Sequence, residues 1–182
     1  MILFKHFTFA VTFAVLITAL FSTSAPAQQA EFGDGWVLQG DASSLQFQSI
    51  KNGSAIETSS FATMTGAIDP NGEASLKILL DSVDTKVDLR NERMRFLFFE
   101  TFQYPEATVT TRIDPALIAD LPQVKRKTVM LPFTLVLHGV TKSLEAELAL
   151  TLVGDDLVAV STVEPVPLAV ADFNLTEGLQ KL

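Results

Sequence analysis

Cysteine is absent from this 182-residue chain, and tryptophan and tyrosine occur once each. Without cysteine there is no disulfide, no thiolate nucleophile and no sulfur ligand for zinc. Histidine occurs twice, and one of the two, His6, falls in the N-terminal segment. His138 is then alone, and a lone imidazole does not build a metal centre. No metal or cofactor is expected. Basic residues are scarce: 13 Lys and Arg stand against 21 Asp and Glu, for a formal net charge of −8. Such a chain repels a phosphate backbone, which excludes nucleic acid as a partner, and gains no electrostatic hold on an anionic bilayer. Neither a Gly-rich phosphate loop nor a Gly-x-Ser-x-Gly elbow is present. Asp69-Pro-Asn-Gly-Glu73 opens like a calcium loop, but Leu80 stands where the twelfth-position acid belongs. It reads as a hairpin turn.

Long apolar runs are confined to the start. MILFKHFTFAVTFAVLITALFSTSAPAQ carries one lysine, Lys5, no acid, an apolar run from Phe7 to Phe21, and small residues at Ala25 and Ala27. These are the three marks of a secretory signal peptide over residues 1–27. A membrane anchor would need about 20 apolar residues, more than the run supplies. The expected product is a soluble periplasmic or secreted protein, with a flexible lead-in at 28–35 and one domain at 36–182. Its stability must come from a hydrophobic core, since disulfides are ruled out.

What is abundant is alternation. Leu45 and Phe47 share a face, as do Leu76, Ile78 and Leu80. Val109 and Ile113 alternate with Thr108, Thr110 and Arg112; Leu131, Phe133, Leu135 and Leu137 line another face. The clearest run is Leu144, Ala146, Leu148, Leu150 and Leu152, with Glu145 and Glu147 opposite. Period two with one wet face means antiparallel strands. Turn residues divide them at Lys51-Asn-Gly-Ser54, Asp69-Pro-Asn-Gly72 and Gly154-Asp-Asp156. About eight strands make an all-β barrel or a sandwich, and periodicity does not separate the two.

Two segments break the rhythm. From Asp88 to Phe99 the residues favour a helix, with Asp84, Thr85 and Asp88 as N-terminal capping candidates. Arg90, Met94 and Leu97 or Phe98 are spaced to share a face, and Tyr104-Pro105 stops the element. Residues 114–123 suggest a short helical turn or an irregular loop.

Several motifs, in order, resemble the YceI-like family of bacterial exported proteins, also described as polyisoprenoid-binding. Leu137-His-Gly-Val-Thr-Lys142 is the strongest. Ser82-Val-Asp-Thr85, Arg90-Asn-Glu-Arg-Met-Arg95, Phe98-Phe-Glu100 and Tyr104-Pro105-Glu-Ala-Thr108 follow the family pattern too, as do Trp36 and Ser44-Leu-Gln-Phe47. The resemblance implies a lipocalin-like antiparallel barrel of about eight strands, with a short helical insertion at one mouth. It implies a channel for an isoprenoid tail, of the polyprenyl or quinone type, as the bound ligand. The family pattern carries one more strand beyond Ala171-Asp-Phe-Asn174, so the last strand is expected to be missing here.

On this reading the tail touches Phe47, Met64, Leu76, Ile78, Leu80, Phe133, Leu135, Leu137, Leu148 and Leu150. Alternating leucines are also what a filled core looks like, which keeps open a structural or interaction module without a ligand. At the mouth Arg90, Arg93, Arg95, Phe98 and His138 are candidates for a polar head group. The same arginines have a structural reading: Arg95 pairing with Glu92, Arg93 with a nearby carboxylate, Arg90 tying the helix to the wall. His138 equally suits a strand-end hydrogen bond, and an esterase built on it is the least supported reading. No catalytic residue is assigned. The oligomeric state is open, with a dimer allowed.

Overall fold

The computed structural model describes residues 2–6, 32–51, 55–154 and 156–182. The strands are β1 (Ile2–His6), β2 (Trp36–Leu38), β3 (Leu45–Lys51), β4 (Ala55–Phe61), β5 (Met64–Ile68) and β6 (Glu73–Leu79). They continue with β7 (Val83–Asp84), β8 (Glu106–Arg112), β9 (Arg126–Leu137), β10 (Val140–Leu152) and β11 (Leu157–Thr162). Eight of them close an antiparallel barrel in the order β1-β11-β10-β9-β8-β6-β5-β2. The alternating runs form its wall, because a strand with one apolar face must turn that face from water.

Register shows how the inner face is assembled. Met64 pairs with Ile78, and Ile78 with Ala107. One step along, Gly66, Leu76, Val109 and Leu135 form a row across β5, β6, β8 and β9. Directly paired residues in an antiparallel sheet point the same way, so these rows share one side of the wall. A side chain on Gly66 would meet the Ser75 carbonyl at 2.9 Å, so the row closes tightly there.

One expectation needs correction. Leu45 and Phe47 are not on the barrel wall: β3 pairs with β4 and β4 with β7 in a separate three-stranded sheet. Alternation reveals a strand's two faces, not which sheet it joins. Among the described residues no strand follows Asn174, as expected, and the eighth place in the barrel is taken by β1, between β2 and β11. That strand comes from the segment expected to be a leader; residues 7–27 lie outside those described. Within the expected lead-in, Phe32 is 2 % exposed, lying beside the β5–β6 turn, while 28–31 lie outside the described residues. Two expected turns lie partly outside as well, at residues 52–54 and 155.

The helical insertion is α1 (Asp88–Arg93) running into a π-helical turn, Met94–Phe98. No side chain caps α1. Thr85 instead donates from its backbone N–H and its hydroxyl to Asn91 Oδ1, both at 2.7 Å, which ties the approach to the helix rather than its first turn. The wider π turn shifts the buried face. Met94 and Phe99 are buried, whereas Leu97 is exposed. Residues 114–123 contain a 3-10 turn, Pro115–Leu117, capped by Asp114. They then enter α2 (Leu121–Val124). The chain finishes with a 3-10 turn, Val170–Phe173, and α3 (Thr176–Gln180).

Candidate functional site: an apolar barrel interior under a capped mouth

The β9–β10 hairpin, the insertion between β6 and β8, and the C-terminal segment gather at one end of the barrel. There Ile78, Leu80, Val83, Met94, Phe99, Ala107, Leu135, Leu137, Phe173 and Leu175 form one buried cluster. Leu80 is not on a strand. It opens the 3-10 turn Leu80–Ser82 after β6 and is 1 % exposed. Phe47 joins from the small sheet through rings: Phe47 to Phe61 at 5.3 Å, Phe61 to Phe99 at 5.7 Å, Phe99 to Phe98 at 4.8 Å. This mouth is therefore plugged by apolar side chains.

Of the ten tail-contact residues expected from the sequence, Ile78, Leu80, Leu135 and Leu137 belong to the plug, and Phe47, Leu76 and Phe133 pack against it. Met64 heads the inner-face row beside Ile78. Leu148 and Leu150 lie further from the capped end, on β10. Leu150 pairs with Val160 and is buried; Leu148 pairs with Val129, and both members of that pair are half-buried, as is Val160. Beyond the plug this apolar face is thus only partly covered. The sequence reading missed Val129, Val158 and Val160, which face Leu148, Leu150 and Leu152 across the sheet, and Phe173 and Leu175 in the plug. Val158 and Val160 lie in the unbroken apolar run 157–160, which marks a strand but not which of its faces turns inward. Phe173 and Leu175 lie on irregular chain and carry no periodic signal.

The cationic candidates are each held by the protein. Arg90 donates from Nη1 to Glu57 Oε2 on β4 at 3.1 Å, with both side chains about one-third exposed. Arg93 donates to the Leu182 carbonyl at 3.1 Å. Arg95 donates from Nε to the Asp81 carbonyl at 2.6 Å, a carbonyl in place of the expected Glu92. A guanidinium has five N–H donors, so each retains further donor capacity. Phe98 packs against the plug with its ring on Phe99. His138 lies between Glu100 and the Phe173 carbonyl, with its ring on Tyr104 at 4.2 Å. These contacts join the hairpin, the insertion and the C-terminal segment.

Two grooves lie on the surface of the described residues. One of about 460 Å³ runs along Trp36, Val37, Ala67, Ile68 and Pro70 at the far end. The other, about 220 Å³, lies among Val87, Leu89, Arg90, Arg93 and Leu182. No group of three or more His, Asp or Glu able to hold a metal occurs among the described residues. Nor, among them, is any helix long and apolar enough to cross a membrane.

Residues 36–181 match the model of the YceI-like domain. Among solved structures, a polyisoprenoid binding domain from Saccharophagus degradans, implicated in plant cell wall breakdown, is 37 % identical with a TM-score of 0.75. That alignment covers 79 % of this chain and 83 % of the other. Burkholderia cenocepacia BcnA is 18 % identical at a TM-score of 0.55, covering 71 % of this chain and 79 % of its own. A Campylobacter jejuni YCEI protein is 17 % identical at 0.53, covering 75 % and 82 %. The last two establish likeness of fold alone. No match was found among curated proteins.

Proposed function

The chain belongs to the YceI-like family, and on that footing we propose that it binds an amphiphilic isoprenoid lipid, a polyisoprenoid or an isoprenoid quinone, with the tail in the barrel. One observation carries the reading: the inner face beyond the plug is apolar, yet Val129, Leu148, Val158 and Val160 are not fully covered. An isoprenoid tail is apolar along its length, and covering it is favourable by about 25 cal/mol per Å². Binding of this kind requires no catalytic group. The relative from Saccharophagus degradans, described as a polyisoprenoid binding domain, supports the same ligand class. Carriage or sequestration of that lipid outside the cytoplasm follows from the export signal read in residues 1–27.

The plug favours a second reading, a β module with a filled core that acts through its surface. Native mass spectrometry of the purified protein, followed by solvent extraction, separates the two. A carrier releases an isoprenoid, and a filled module releases none. Leu148→Trp is the informative variant. It adds bulk to the partly covered face away from the plug, so it should cut lipid occupancy at least about tenfold while the fold persists. Lipid bound equally well by that variant would place the tail elsewhere.

A further inference from the structure

One strand of the barrel differs from the rest in origin. Seven strands come from residues 36–162, and the eighth, β1, comes from residues 2–6, ahead of the cleavage site expected at Ala27. β1 runs antiparallel to both neighbours. Ile2, Leu3, Phe4 and Lys5 pair with Val160, Ala159, Val158 and Leu157 of β11. Phe4, Lys5 and His6 pair with Leu38, Val37 and Trp36 of β2. No pairing joins β2 directly to β11 in the barrel order. Removing residues 1–27 therefore leaves two facing strand edges, separated by twice the interstrand spacing, about 9.5 Å.

Such edges are not inert. Their backbone N–H and C=O groups need partners, and an open edge is a template for another strand. The seam also has a side-chain preference. At the Phe4 position it is flanked by Leu38, which is buried, and by Val158, which is half-buried. At the Lys5 position it is flanked by Val37, which is exposed, and by Leu157. An occupant thus needs apolar residues at alternate positions over about five residues, and tolerates charge between them.

We propose that the β2–β11 seam is a strand-acceptor site. In the exported chain it takes an extended segment of another polypeptide, antiparallel to both edges, with apolar residues at alternate positions. Backbone hydrogen bonds supply affinity and the alternate pockets supply selectivity. The proposal rests on leader removal and is independent of the lipid reading.

The test uses the exported protein, with its N-terminus read by mass spectrometry, and a synthetic peptide of residues 1–6. In the protein beginning after Ala27, amides of β2 and β11 that face the seam should exchange about 100-fold faster than those in the middle of β9 and β10. Adding the peptide should slow them at least about tenfold, and the peptide with proline at position 4 should not. In the full-length chain, Phe4→Pro should release the same amides while β9 and β10 stay protected. Four results overturn the proposal: residues 1–27 retained after export, seam amides already protected without peptide, a dimer of the exported chain that protects them, or Phe4→Pro without effect. Lipid content, read separately by solvent extraction, decides the other hypothesis whatever happens at the seam.

Discussion

His138 Nε2 lies 3.3 Å from Glu100 Oε2, and both residues hold left-handed backbone, with φ of 51° and 48°. Non-glycine residues rarely adopt that conformation, so each is held there by its surroundings. His138 Nδ1 is 3.2 Å from the Phe173 carbonyl, which can only accept, so this nitrogen donates. The ring thereby ties the β9–β10 hairpin to the end of the π turn and to the C-terminal segment. His138→Ala leaves the Phe173 carbonyl without its donor and removes the ring that stands between that carbonyl and Glu100. It should cost about 1–3 kcal/mol in denaturant unfolding. Amide exchange should rise in 94–100 and 170–175, with bound lipid retained. Unchanged protection in both segments would deny the tie.

Gly178 is where α3 rests on the insertion. A Cβ there would meet the Leu97 carbonyl oxygen at 2.6 Å and Phe98 Cα at 2.9 Å, and both are backbone atoms. Neither can swing away. Gly178→Ala should therefore lift α3 from the π turn and loosen the plug through Leu175. We expect a loss of about 1–3 kcal/mol, measured by chemical denaturation, although alanine is the better helix former.

The barrel wall was legible because its strands carry an apolar and a wet face, as in Leu144 to Leu152. What stayed hidden has physical causes. Phe47 obeys the same alternation as Leu76, yet β3 leaves the barrel, since periodicity is blind to partner choice. The plug draws on Leu80, Met94, Phe99, Phe173 and Leu175, four turns or segments with no shared period. A π turn moves the buried residue from Leu97 to Phe99, which a 3.6-residue count cannot anticipate. Residues 2–6 carry the composition of a leader, and over five residues an apolar leader and an apolar strand look alike, so their pairing with β2 and β11 was not legible.

Asp69 offers a pH-dependent check on the β5–β6 turn. Its carboxylate accepts from the Glu73 backbone N–H at 2.9 Å and the Asn71 N–H at 2.8 Å. The Glu73 bond, and then those of Asn71, hold its pKa below the ordinary 3.8. A depressed folded pKa gives stability that is present above the unfolded value and lost as pH falls through the folded one. Asp69→Asn keeps an acceptor but cannot titrate. Melting temperatures of the two proteins should therefore diverge between neutral pH and pH 4 by less than they change below pH ~3.8, where only the parent loses a charged acceptor. Identical acid limbs would show the turn does not depend on that charge.

Arg90 distinguishes a head-group contact from a structural one. Its partner Glu57 sits on β4, outside the barrel, so the pair fastens α1 to the small sheet. If that is its whole role, Arg90→Gln and Glu57→Gln each lose the same interaction, and the double variant is no worse than either single. For a pair about one-third exposed, a coupling of about 0.2–1 kcal/mol is expected in a double-mutant cycle. Lipid affinity should then change equally little in all three proteins. A head group bound at Arg90 predicts something else: Arg90→Gln weakens lipid binding, while Glu57→Gln strengthens it by freeing the guanidinium from a competing carboxylate. The sign of the Glu57→Gln effect on lipid affinity therefore decides, since the structural role gives no reason for an increase.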